Sequence, residues 1–219
     1  MKTLLVTLSF ILFSYALFSQ ITGVYQQSSI SYAASSGVSV PSFAYQESLV
    51  FGKNKTIWVG TGLRLSSFSS KNTTFIKDNQ SITIRDKAQA TVLSIPVHFE
   101  ARLKGFFVGA NIDVIGITFG KQRDSVSKTA NFNKLDSAFT AKPVAFSSIL
   151  GRRGTISSQV YVGVLVSREF SIRFGVSFVS SQFSTNYYDL RRKTNIDYDK
   201  FRYNTQAMPF ISLVFTMEK

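Results

Sequence analysis

Residues 91–119, TVLSIPVHFEARLKGFFVGANIDVIGITF, decide the fold. In the first half Leu93, Ile95, Val97, Phe99, Ala101 and Leu103 fall on one parity, with Ser94, Pro96, His98, Glu100 and Arg102 on the other. A period of two marks a strand, whose successive side chains point to opposite faces. The second half sets Val108, Ala110, Ile112 and Val114 against Gly109, Asn111 and Asp113. Leu103-Lys104-Gly105-Phe106 joins the halves as a turn. The stretch therefore reads as a β-hairpin with one apolar face and one charged face.

The same unit recurs on both sides. Residues 24–34 and 40–51 are strand candidates, the second with Phe43, Tyr45, Leu49 and Phe51 on a face that Glu47 interrupts. In residues 56–68, Ile57, Val59, Thr61, Leu63 and Leu65 oppose Trp58, Gly60, Gly62, Arg64 and Ser66. Further on, Val160, Val162, Val164 and Val166 oppose Gln159, Tyr161, Gly163 and Ser167. Phe170, Ile172, Phe174, Val176 and Phe178 oppose Ser171, Arg173, Gly175 and Ser177, and residues 205–217 close the set. That makes eight strands. The connections alternate: short after strands two, four and six, and long and polar after three, five and seven, over residues 69–90, 120–155 and 182–204. Residues 81–85 alternate too, which would extend a hairpin beyond the main sheet. The expected fold is all-β, an eight-stranded antiparallel up-and-down transmembrane barrel with short periplasmic turns and long extracellular loops.

The first residues carry an address. Lys2 precedes an apolar run from Leu4 to Phe18, and Ser19 is a small residue before Gln20. A basic start, a short apolar core and a small residue at the cut describe a secretory signal peptide. Residues 1–19 are expected to be removed, leaving residues 20–219 as one barrel domain. The chain has no cysteine, so it has neither a lipid-attachment thiol nor a disulfide. Its formal net charge is +13, carried by 25 basic and 12 acidic side chains. A basic balance often means nucleic acid, but an exported chain points instead to phosphates of lipid headgroups or acidic surface sugars.

Alternation alone leaves open which face is the core. A soluble barrel would turn the Val and Ile face inward. Two features favour the reverse. Gly60, Gly62, Gly109, Gly163 and Gly175 share the polar face with Arg64, Glu100, Arg102, Asp113 and Arg173, as a narrow interior crowded with paired polar groups would need. Phe51, Phe106, Phe170 and Phe215 at one end, with Phe119 and Phe178 at the other, match the aromatic girdles of membrane barrels. Pro96 and Pro209 each remove a ladder donor, so a bulge or gap is expected at both.

The leader ending Phe18-Ser19-Gln20, the Leu93-Ser94-Ile95-Pro96-Val97 strand with its short turn and Gly-bearing successor, and the eight-strand layout resemble the outer-membrane β-barrel domain family common in Bacteroidota. That family includes PorT-like proteins and shares the plan of the OmpA and OmpX barrels. One departure is the end of the chain: many such barrels finish on an aromatic residue, whereas Thr216-Met217-Glu218-Lys219 follows Phe215. The resemblance implies an outer-membrane location and contact with the barrel-assembly machinery during biogenesis. It implies no specific activity.

Arg64, His98, Glu100, Arg102, Asp113 and Arg173 are expected to form a polar network in the lumen, because buried charges must be paired. Such a network would fill the interior and disfavour an open pore. A lipid hydrolase built on Ser94, His98 and Glu100 is the enzymatic alternative, but same-face neighbours on one strand lie about 6.5–7 Å apart, which keeps Ser94 from His98. A narrow solute channel is a third reading. Arg152-Arg153 and Arg191-Arg192-Lys193 are candidate anion-binding loop clusters for outer-leaflet lipid, including lipopolysaccharide phosphates, or for an acidic surface or secretion partner. One histidine and no cysteine leave no metal-ligand set, and no cofactor motif is present. The expected function is that of a non-enzymatic outer-membrane protein acting through basic extracellular loops in adhesion, envelope integrity or secretion.

Overall fold

The structure, a computed structural model, describes residues 21–52, 54–77, 80–121, 123–127, 137–150, 154–189, 194–204 and 207–219. The leader with its cut after Ser19 lies outside the described residues, as do Arg152, Arg153, Arg191, Arg192 and Lys193. Twelve strands and no helix make up the described chain: β1 (Ile21–Ser35), β2 (Val38–Phe51), β3 (Ile57–Lys77), β4 (Gln80–Leu103), β5 (Phe106–Phe119), β6 (Arg123–Ser127), β7 (Ser137–Pro143), β8 (Phe146–Ser148), β9 (Ile156–Leu165), β10 (Phe170–Asp189), β11 (Thr194–Asn204) and β12 (Met208–Glu218).

Eight of these strands close a barrel. Each of β1, β2, β3, β4, β5, β9, β10 and β12 pairs antiparallel with the next, and β12 returns to β1 with Gln26 opposite Met217. Closure leaves no strand edge in the barrel wall. The short-turn end is further stitched by backbone bonds between neighbouring turns and strand ends: Arg102 N to Thr56 O, Leu165 N to Gly105 O, Thr216 N to Glu169 O and Lys219 N to Val24 O, at 2.7, 2.8, 2.7 and 3.1 Å.

The apolar face points outward. Leu63, Leu93, Val97, Phe99, Val108, Val162 and Leu213 are all exposed, while Arg64, Ser94, His98, Glu100, Phe107, Tyr161 and Ser212 beside them are buried. Phe106 and Phe215 stand outward at one end of this belt, and Phe119 and Phe178 toward the other. Glu47 does interrupt the belt on β2. It is held there by the Gln26 amide at 3.1 Å, the Tyr45 hydroxyl at 3.3 Å and Lys219 Nζ at 3.5 Å.

The structure departs from the sequence reading in the long connections. Much of residues 69–90, 120–155 and 182–204 is strand, because β3, β4 and β10 run on past the barrel and β6, β7 and β11 pair with the extensions. The pairings β3–β4, β4–β6, β6–β7, β7–β10 and β10–β11 are closed by one pair, Arg202 opposite Ile76, into a second circuit of six strands. The β1–β2 hairpin turns at Gly37, whose φ of 74° suits glycine. It therefore ends below that circuit. Phe68, Phe75, Ile84, Ala88, Ala141 and Phe183 pack inside as an apolar core, with the Phe75 and Phe183 rings 4.8 Å apart.

Both prolines interrupt the pairing, one by a bulge and the other by a gap. At Pro96 the β4–β5 register shifts, leaving Val114 without an opposite residue. This bulge reverses the parity of β5, so that Ile115, Ile117 and Phe119 stay outward although Val108, Ala110 and Ile112 are of the other parity. At Pro209 there is no bulge: it pairs in register with Val176, and the β1–β12 ladder stops one residue away at Phe210.

Candidate functional site

Cross-strand register brings the charged residues of the lumen together. Glu100 on β4 lies opposite Gly109 on β5, which lies opposite Tyr161 on β9. One step away, Arg102, Phe107, Gly163 and Arg173 form a row across β4, β5, β9 and β10. The two glycines make the rows possible. A Cβ on Gly109 would stand 2.7 Å from the Tyr161 ring, and one on Gly163 would stand 2.0 Å from the Phe107 ring. Each ring lies over the glycine opposite it, and the Tyr161 hydroxyl reaches the carboxylate of Glu100.

Glu100 is that centre. Its Oε1 accepts from Arg102 Nε at 2.6 Å, and its Oε2 accepts from Arg173 Nη2 at 2.9 Å and from the Tyr161 hydroxyl at 3.3 Å. Arg173 Nη2 also donates to Gln27 Oε1 at 3.1 Å. A second ion pair joins Arg64 Nη1 to Asp113 Oδ1 at 3.1 Å, and Asp113 Oδ2 accepts from the Ser157 amide at 3.2 Å. The guanidinium of Arg102 lies 3.5 Å from the Trp58 ring centroid, and that of Arg173 lies 4.7 Å from Tyr161, both within cation–π range. Three guanidiniums thus face two carboxylates. Pairing is incomplete: Arg102 Nη2 and Arg173 Nε have no hydrogen-bond partner among the described residues.

His98 departs from the expected network. Its Nε2 meets Ser48 Oγ at 3.0 Å, and its Nδ1 has no partner among the described residues. Ser94 Oγ donates instead to Arg64 O at 3.4 Å. A serine–histidine pair is therefore present, but it joins His98 to Ser48 on another strand, while Ser94 stays apart from His98 as their spacing requires. Among the described residues no acid orients the imidazole on its other nitrogen, as a triad requires, and both side chains are sealed, with His98 only 1% exposed.

Sequence reasoning missed Gln27, Ser48, Trp58 and Tyr161 as members of this centre. Trp58 and Tyr161 stood on the polar parity of their strands, and that parity was the available signal. Partners for Arg102 and Arg173 depended on register between strands, which a single strand does not display.

The stitched end forms a mouth of about 930 Å³ lined by Tyr25, Lys55, Trp58, Arg102, Lys104, Arg168 and Glu218 among others. The Tyr25 hydroxyl donates to Glu218 Oε1 at 2.7 Å, and Lys55 Nζ donates to the same oxygen at 2.9 Å and to the Tyr25 hydroxyl. These bonds, the Tyr25 one first, raise the Lys55 ammonium above its ordinary pKa. Below that ordinary value the bonds are fully present, and they are lost as pH rises through the raised one.

No protein-family model and no curated protein matches the chain. Among solved structures, the outer membrane protein OprG from Pseudomonas aeruginosa is similar at 6% identity and TM-score 0.43, over 91% of this chain and 98% of that one. The outer membrane protease OmpT from Escherichia coli is similar at 10% identity and TM-score 0.39, over 89% and 94%. An outer membrane channel from Pseudomonas putida F1 is similar at 7% identity and TM-score 0.29, over 91% and 96%. At such scores and identities none of them bears on what this chain does.

Proposed function

We propose that the chain is an integral outer-membrane β-barrel protein with a filled interior, acting without catalysis through the basic clusters of its long connections. The observation that carries this is the inversion of the barrel: Leu63, Val97, Phe99, Val162 and Leu213 face out, while Arg64, Glu100, Asp113 and Arg173 are buried within. In water such an exterior would be a large exposed apolar patch, whereas in a bilayer it is the required surface. The short-turn end then faces the periplasm and the six-strand circuit faces outward. Phosphates of the outer leaflet, or an acidic surface partner, are the ligands for which Arg152-Arg153 and Arg191-Arg192-Lys193 are suited.

Envelope fractionation with protease treatment of intact cells tests location and orientation together. The chain should stay with outer membranes and be cut only within residues 69–90, 120–155 or 182–204. A soluble periplasmic protein would end the reading. Replacing Arg152, Arg153, Arg191, Arg192 and Lys193 by Ser should weaken binding to vesicles containing anionic lipid, and unchanged binding would remove these clusters from the proposal. His98→Ala should leave any lipid hydrolysis by purified protein unchanged.

A further inference from the structure

The mouth at the short-turn end is concave, basic and rigid at once. Its volume of about 930 Å³ is that of a small-molecule site. Lys55, Arg102, Lys104 and Arg168 line it against the single carboxylate of Glu218. That carboxylate is already taken by Lys55 and Tyr25. Lys104 and Arg168 have no acidic partner among the described residues, whereas Arg102, in the floor beside Trp58, is paired with Glu100 and keeps its Nη2 buried. The four backbone bonds between adjacent turns and strand ends fix the backbone that carries these cations before any ligand arrives. Preorganisation of this kind lowers the ordering cost of binding.

We propose that this mouth binds a multiply charged anion bearing carboxylate or phosphate groups, with Lys104 and Arg168 as the principal contacts. The two free cations at the rim match more than one negative group. The ligand is either a free small polyanion or the end of an acidic polymer. That it would come from the periplasm rests on the orientation proposed above, but the site itself does not.

The full chain, folded in zwitterionic detergent micelles, provides its own reporter, since Trp58 is the one tryptophan of the sequence. Citrate and hexaglutamate are the probes, read by Trp58 emission and by calorimetry. The expected result is saturable binding that weakens with added salt, and about tenfold for each charge removed in the variants Lys104→Ser and Arg168→Ser. Saturation by citrate alone assigns the site to a small anion, and saturation by hexaglutamate as well assigns it to an acidic chain end. Lys87→Ser with Lys142→Ser, at the far end, should leave affinity unchanged. The proposal is overturned if neither probe saturates by either readout, if the Lys104 and Arg168 variants bind as tightly as the parent, or if the far-end pair weakens binding equally. Because micelles have no sidedness, a negative result here leaves the membrane orientation untouched, and a reversed orientation leaves a positive result standing.

Discussion

Glu100 is the residue on which the interior depends, since Arg102, Arg173 and Tyr161 all converge on its carboxylate. Glu100→Ala would leave two guanidiniums buried without their shared counter-charge, and should cost about 3–5 kcal/mol in denaturant unfolding from detergent or vesicles. A loss near zero would mean that the network is loosely solvated. Two glycines offer a sharper comparison. A Cβ on Gly62 would meet Tyr45 O at 2.0 Å, and a Cβ on Gly163 would meet Phe107 Cζ at the same distance. The first obstacle is backbone in the next strand and the second is the tip of a side chain which, although buried, can turn about its own torsions. Gly62→Ala should therefore destabilise by about 1–3 kcal/mol and Gly163→Ala by less, with heat-modifiability on gels as a parallel readout. Equal effects would contradict the geometry.

Among elements, the extensions of β3, β4 and β10 stand apart from the barrel below them. Their circuit is closed by one residue pair between β11 and β3, and its apolar core includes the Phe75–Phe183 contact. Phe183→Ala should remove about 3–5 kcal/mol of packing there. Hydrogen exchange at residues 74–76 and 183–184 should then rise while residues 93–99 in the barrel wall stay protected. Uniform loss of protection would show that circuit and barrel unfold together. These extensions were only partly legible in sequence. The alternation at residues 81–85 was visible, but β6, β7 and β11 are short or polar and owe their strand form to the neighbours with which they pair. Propensity in a strand depends on what lies beside it.

At the scale of the whole molecule, the interior is filled in layers: Trp58 and Tyr25 near the stitched mouth, the charged centre around Glu100, and the apolar core around Phe75 and Phe183. Purified protein in planar bilayers should therefore show no resolved single-channel conductance, and steady open-channel events would overturn the filled interior. The eight-strand plan, the strand parity outside the β5 bulge and the membership of Arg64, His98, Glu100, Arg102, Asp113 and Arg173 in the polar face were all determined by sequence alone, because alternation with period two is a local property written residue by residue. Tertiary structure decided the rest. Which charge meets which, why His98 turns to Ser48, how Val114 shifts β5 by one residue, and that Lys104 and Arg168 share a mouth with Arg102 all follow from the stagger of strands around a closed barrel. That stagger is set by closure of the whole ring, and no single stretch of the chain contains it.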